Sequence, residues 1–236
     1  MTTRESLAGS WAVEPVGRVA APLRAQVISA LRQAIRDFDL KPGQRLVERE
    51  LIEKLGVSRT TIREALRELA SEGLVTVVPQ RGAIVSAPSL DEAMDLYDVR
   101  AALESLLARH FVARATDEEV EELGRTVEQL AETARTSTDI RTILGAKDEF
   151  YRVLIAGARS TTLQQLIEAI QARVQVLRAT SLSEAGRSER VVEELNAIVG
   201  AIADRNADRA ATLTAQHVRN AAVTALRSLR DSEESD

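Results

Sequence analysis

The 236-residue chain has no cysteine. That excludes a disulfide framework, Cys-ligated zinc and a thiol nucleophile. Histidine occurs only at His110 and His217, so a three-histidine metal site is impossible. Aromatic residues make up 3% of the chain, too few for a module that stacks bases on aromatic faces. No apolar run approaches the ~18 residues of a membrane span. The first twenty residues carry Arg4, Glu5, Glu14 and Arg18 and no continuous apolar stretch, so no signal peptide is expected and the expected location is cytoplasmic. There is no Gly-rich nucleotide loop and no serine in a nucleophile-elbow setting, hence no catalytic constellation.

Charge and proline divide what remains. The net charge of −5, taken whole, speaks against a nucleic-acid partner. It is an average, however. Residues 1–88 carry 13 basic and 10 acidic groups, and residues 89–236 carry 18 and 26. All five prolines (Pro15, Pro22, Pro42, Pro79 and Pro88) fall in the first part. Lysine occurs only at 41, 54 and 147, so the basic residues are almost all arginine. Because that preference runs through the whole chain, it reads as compositional rather than as a binding signal.

Residues 1–19 lack a period and are expected to form a mobile arm. Val27, Leu31, Ala34, Ile35 and Phe38 predict an amphipathic helix over 21–38. Lys41-Pro42-Gly43 is a turn. A short helix over 47–55 ends at Gly56. Ser58 caps a third helix to about 72, with Ile62, Ala65, Leu66 and Leu69 on its buried face. Residues 74–78 and 83–85, joined by Pro79-Gln80-Arg81-Gly82, predict a hairpin. From residue 89 the pattern predicts six helices, at about 90–114, 117–137, 139–157, 160–181, 188–204 and 206–229. Two of them open on capping-box pairs, Ser89/Glu92 and Thr116/Glu119. An acidic tail follows at 231–236. The fold class is therefore mainly α: a winged helix-turn-helix over 20–86 and an all-α six-helix bundle over 89–230.

The third helix has the features of a DNA-recognition helix. Arg59, Arg63 and Arg67 lie four apart and form one stripe beside the buried face. Ser58, Thr60 and Thr61 stand at its N-terminus, where free N–H groups favour phosphate. Arginine also reads guanine bidentately in the major groove. Arg49 is placed for a backbone contact, and Gly82 lets the hairpin tip approach DNA closely. A solvated arginine face on an ordinary helix is the plainer alternative, and Glu64, Glu68 and Glu72 on the same helix keep it open for Arg63 and Arg67.

Three stretches carry a resemblance. These are Pro42-Gly43-Gln44-Arg45-Leu46-Val47-Glu48-Arg49-Glu50-Leu51, Leu55-Gly56-Val57-Ser58-Arg59-Thr60-Thr61-Ile62-Arg63-Glu64-Ala65-Leu66 and Glu72-Gly73-Leu74-Val75. Together with the wing tip Arg81-Gly82-Ala83 they resemble the GntR family of bacterial transcription regulators. The resemblance implies that Arg49, Ser58, Arg59, Thr60, Arg63 and Gly82 touch DNA. Many members have proline where this chain has Thr61.

Residues 90–230 resemble, more diffusely, the FadR-type C-terminal (FCD) domain, through Tyr97 to Glu104, Phe150-Tyr151 and Ala210 to His217. The resemblance implies a homodimer on a palindromic double-stranded operator, a repressor, and a small-molecule effector in the helical domain. Many such domains hold a divalent metal. The matching positions here are Lys147, Tyr151, Leu195 and His217, with Asp148 one residue away, so no metal cofactor is expected. If the pocket of the family is retained, Arg100, Lys147, Tyr151 and His217 converge on it and can hold a carboxylate directly. The plainer reading has Lys147 reaching outward and Arg100 paired with a helix carboxylate. Enzyme and protein-interaction module are the competing function classes. No membrane partner is expected.

Overall fold

A computed structural model describes residues 20–36, 39–80 and 82–233. The proposed mobile arm, Phe38, Arg81 and the end of the acidic tail lie outside the described residues.

The first unit comprises α1 (Ala20–Arg36), β1 (Arg45–Leu46), α2 (Glu48–Leu55), α3 (Arg59–Ser71), β2 (Val75–Val78) and β3 (Gly82–Val85). Its core is built by Val27, Leu31 and Ile35 of α1 against Ile62, Leu66 and Leu69 of α3, with Leu46, Leu51, Leu74, Val75 and Val85 closing it. Two local devices set the helix-turn-helix. Gly56 takes a left-handed conformation (φ +66°), and its N–H bonds the Ile52 carbonyl, which ends α2. The Ser58 side chain accepts from the Thr61 N–H and opens α3.

The wing is a three-stranded antiparallel sheet, ordered β1-β3-β2. Val75 pairs with Val85 and Val78 with Gly82 in the hairpin. Its turn places Gln80 and Gly82 at positive φ. The sequence pattern misses β1. Two residues carry no periodicity of their own, and the strand exists because Arg45 pairs with Ile84 and Leu46 with Ala83.

The second part is a helical bundle of α4 (Leu90–Arg114), α5 (Asp117–Thr136), α6 (Ile140–Ala158), α7 (Thr161–Arg173), α8 (Gln175–Ser183), α9 (Arg187–Ala203) and α10 (Ala207–Glu233). Both predicted capping boxes form, at Ser89/Glu92 and Thr116/Glu119. Asp139, Ser160 and Asn206 also accept from the first-turn N–H groups of their helices. The long helices α4 and α10 form the central pair. Leu107, Phe111, Leu123, Leu130, Leu154, Leu195 and Ile198 fill the larger core. Ala93, Leu96, Tyr97, Val174, Leu177 and Val218 fill a second one, on the side of the winged unit.

The expected bundle of six helices is corrected to seven. The single helix over 160–181 is two, interrupted at Val174 (φ −95°, ψ 7°). No glycine or proline causes the break. Ala172 packs against the core of the winged unit while Val174 is buried in the second bundle core. Two packing demands on adjacent turns override the local helical preference.

Candidate functional site: an exposed arginine edge and a buried polar cluster

The N-terminal half of α3 presents Ser58, Arg59, Thr60 and Arg63 to solvent, with Arg67 one turn further on. Arg49 on α2 and Gly82 at the wing tip are also exposed. All of these positions are thus open to solvent, and those on α3 lie away from its buried Ile62/Leu66/Leu69 face. Arg63 is not free on that face. Its Nε donates to both oxygens of Glu48, at 2.9 and 3.1 Å. Ser58 has a second local role, since its Oγ lies 2.9 Å from Thr61 Oγ1. The hydroxyl at position 61 thus joins the cap, a role that proline could not fill.

Inside the bundle, five helices bring together an unusual set of charges. Arg100 and Glu104 are one turn apart on α4 and almost inaccessible (1% and 0% exposed), with Nε 2.5 Å from Oε1. Arg100 Nη2 donates to the Tyr151 hydroxyl at 3.0 Å, and that hydroxyl donates to Glu104 Oε2 at 2.9 Å. The Arg178 guanidinium on α8 lies over the Tyr151 ring, 5.7 Å from its centre. Arg178 Nη1 donates to Gln175, and Nη2 donates to Asp148. On α9, Arg187 makes a two-pronged pair with Glu194, at 2.9 and 3.0 Å. Glu194 also meets His217 Nδ1 at 2.5 Å and accepts from Asn220 on α10.

Lys147 on α6 is 3% exposed. It does not reach outward, so the plainer expectation for this residue is corrected. Burial, with Arg100, Arg178 and Arg187 close by, pushes its ammonium well below the usual lysine range. Arg100 does pair with a helix carboxylate, as that expectation had it, yet it also reaches Tyr151. The structure thus brings Arg100, Lys147, Tyr151 and His217 into one cluster.

Burial and the Lys147 charge pull the His217 imidazole down to about 4. Although burial opposes it, hydrogen bonds from His217 and Arg187 hold the Glu194 carboxyl at about 2. A neutral imidazole facing an ionised carboxylate carries its proton on Nδ1 and donates it. His217 Nε2 is then a bare acceptor, and it has no partner among the described residues.

The positions that the resemblance matched to a metal site do not suit a divalent cation. Lys147 carries a competing charge, the Tyr151 hydroxyl is engaged with Glu104, and Leu195 is buried in the apolar core. Asp148 is committed to Arg178. Among the described residues no three His, Asp or Glu side chains are grouped to hold a metal ion.

Sequence reasoning missed Glu104, Arg178, Arg187 and Glu194 as members of the cluster. Glu194 directly precedes Leu195, and the step of about 100° per helical residue decides which of the two faces His217.

A cleft of about 730 Å³ leads to the cluster from the surface. Tyr151, Gln175 and Arg178 line its inner end. Arg32 of α1 and Glu72 after α3, themselves an ion pair, belong to its outer wall. The winged unit and the cluster thus border the same space.

Comparison with known proteins agrees with this division. Residues 23–85 match the family described as bacterial regulatory proteins, gntR family, and residues 95–220 match the FCD domain. The chain is 30% identical over 183 residues to the Nta operon transcriptional regulator of Aminobacter aminovorans, covering 77% of this chain and 84% of that one. It is 26% identical over 198 residues to the HTH-type transcriptional repressor RspR of Escherichia coli K12, covering 84% and 86%. Among solved structures, E. coli McbR/YncC shares the fold with a TM-score of 0.76 at 22% identity, over 87% of this chain and 98% of that one. A GntR regulator from Rhodococcus sp. RHA1 does so with a TM-score of 0.72 at 22% identity, over 86% and 97%.

Proposed function

We propose that this chain, which belongs to the gntR family of bacterial regulatory proteins and carries an FCD domain, is a repressor released from its operator by a small anionic metabolite. At the coarser level it is a DNA-binding transcription regulator and not an enzyme. In this reading Arg49, Ser58, Arg59, Thr60, Arg63 and Gly82 contact the duplex, and Arg100, Lys147, Tyr151 and His217 form the effector site. The protein acts in the cytoplasm as a homodimer on a palindromic site. Among the described residues, no helix is long and apolar enough to cross a membrane.

The observation that carries the effector half is the buried polar cluster. Nothing in the stability of a helical bundle requires so many desolvated charges, because ion pairs in such places are commonly replaceable by apolar residues without loss. Their retention, beside a cleft that also borders the winged unit, supports a ligand-binding role. Two exposed apolar side chains on α4, Val99 and Leu106, support the dimer. They are seven residues apart and therefore share a face. Symmetric recognition helices then require matching half-sites. A ligand shifts DNA affinity only if it binds the free and DNA-bound arrangements differently. Contact with both walls of the cleft supplies that difference.

The test is selection of duplexes from a random library, followed by titration of small carboxylates and phosphate esters onto the complex. Enrichment of a palindrome and its release by one of the anions is the expected result. Enrichment of no sequence overturns the regulatory reading, and release by none of the anions overturns the effector reading.

A further inference from the structure

The last turn of α7 stands between two cores. Ile170 and Val174 pack into the second core of the bundle. Ala172, about 200° around the helix from Ile170, packs against the core of the winged unit. Arg173 lies against the turn that follows α3. A Cβ at Gly73 would stand 2.9 Å from its Nε, 3.3 Å from its Cδ and 3.4 Å from its Cζ. Gly73 is left-handed (φ +76°), and its N–H bonds the Ala70 carbonyl, so it closes α3. The same turn is held by the winged unit itself, where Arg32 of α1 forks Glu72 at 2.6 and 3.0 Å.

We propose that Ala172 and Arg173 are positioning residues for operator recognition: they seat the C-terminal end of α3 on the bundle, and so fix the spacing of half-sites that a dimer can read. This rests on the reading of a dimer on a palindromic site and names the residues that set its geometry.

Charge favours the seat. The last carbonyls of a helix carry partial negative charge, and a guanidinium beside them is attracted. Space demands glycine at the contact, because any other residue at 73 brings a Cβ into Arg173 and a strained left-handed backbone. Asp39 and Arg141 also link the two parts, at 3.2 Å, but both are more than half exposed. An ion pair of that kind contributes little and restrains orientation weakly. Length then turns the seat into a lever. Arg59 opens α3 and Gly73 follows its end, 13 helical residues away. At 1.5 Å per residue the separation is about 20 Å, so a rotation of about 10° at the seat moves Arg59 by about 3 Å, close to one base step.

The test measures the affinity of the full chain for duplexes in which two copies of the selected half-site are separated by spacers of graded length, and for a duplex with a single half-site. The wild-type chain is expected to bind its best spacing about tenfold tighter than shorter or longer ones. Arg173→Ala is expected to bring that ratio to about threefold or less, with affinity for the single half-site unchanged. Arg173→Lys keeps the charge at the helix end and is expected to restore part of the preference. Arg141→Ala is expected to keep the wild-type profile. The proposal is overturned if the Arg173→Ala profile matches the wild-type one. It is also overturned if that variant loses single half-site affinity in step, which makes Arg173 a support of the winged fold only. A wild-type chain that binds one half-site as tightly as two removes the dimeric reading and the spacing claim with it, and a second measurement, free of DNA, then decides the seat. The chain has no cysteine, so labels placed through Glu53→Cys on α2 and Glu128→Cys on α5, both exposed, report the distance between the two parts when labelled chain is diluted in unlabelled chain. Arg173→Ala is expected to broaden the distance distribution, as is Ala172→Glu, which sets a carboxylate against the winged core. Distributions as narrow as the wild type's in both variants overturn the proposal whatever the operator.

Discussion

His217 Nδ1 lies 2.5 Å from Glu194 Oε2, yet the imidazole stays neutral while the carboxyl stays ionised. Burial and the nearby Lys147 ammonium outweigh the pull of the carboxylate on the imidazole proton. The arrangement makes a histidine deep in the bundle a conditional member of the fold.

Its consequence is a pH-dependent stability. His217 titrates at about 4 in the folded chain and near 6.5 when unfolded. Between those values the unfolded chain binds the extra proton, so the contribution of this group is full above 6.5 and is lost as pH drops toward 4. The slope contributed by this group approaches about 1.4 kcal/mol per pH unit. Urea midpoints measured across that window should show it, and His217→Gln should flatten it. An equal slope in the variant would contradict the assignment.

The pair Arg100–Glu104 is buried on both sides. Glu104→Gln leaves the guanidinium without its counter-charge and also weakens the Tyr151 link. A loss of about 3–5 kcal/mol is expected on breaking such a pair from one side. Chemical denaturation measures it, and a loss under about 1 kcal/mol would mean that water reaches the site as it does an exposed pair.

Gly157 packs closely against Phe111. A Cβ added there would stand 2.3 Å from the Phe111 ring. Gly157→Ala should therefore destabilise by about 1–3 kcal/mol through overpacking, although alanine is the better helix former. Gly145, on the same helix with open space at its Cβ, is the control; Gly145→Ala should stabilise slightly. Thermal unfolding of the two variants should move in opposite directions.

Much of this architecture is legible in the sequence, and the reason is local. Gly56, Ser58, Ser89, Thr116, Asp139 and Asn206 act within a turn or two of their own backbone, so each helix boundary they set can be read without the fold. The same holds for the arginine stripe, because its opposite face is fixed by Ile62, Leu66 and Leu69. The break at Val174 is not legible, since it comes from contacts on two different cores. Arg178 and Arg187 escape for another reason. Arginine is ordinarily an exposed residue, and only the meeting of α4, α6, α8, α9 and α10 makes these two buried. Glu194 is hidden beside Leu195, where alignment by position and rotation about the helix point to neighbouring residues.

Glu48 restrains Arg63 in the free protein. Glu48→Gln removes a negative charge from the side proposed to face DNA and releases the guanidinium. Affinity for any duplex should rise, and the dependence on salt should steepen by about one phosphate contact. Titrations at several salt concentrations check this. An unchanged slope would indicate that Arg63 does not meet the backbone.

The claim on which the rest depends is that the exposed edge of α3 reads base sequence. The most direct measurement is the affinity of the wild-type chain and of Arg59→Ala for a selected duplex and for its scrambled counterpart, at one salt concentration. The variant should lose about 1–3 kcal/mol on the selected duplex and much less on the scrambled one, so that the discrimination between them collapses. Equal losses on both would contradict base reading by Arg59 and leave it as a phosphate contact only.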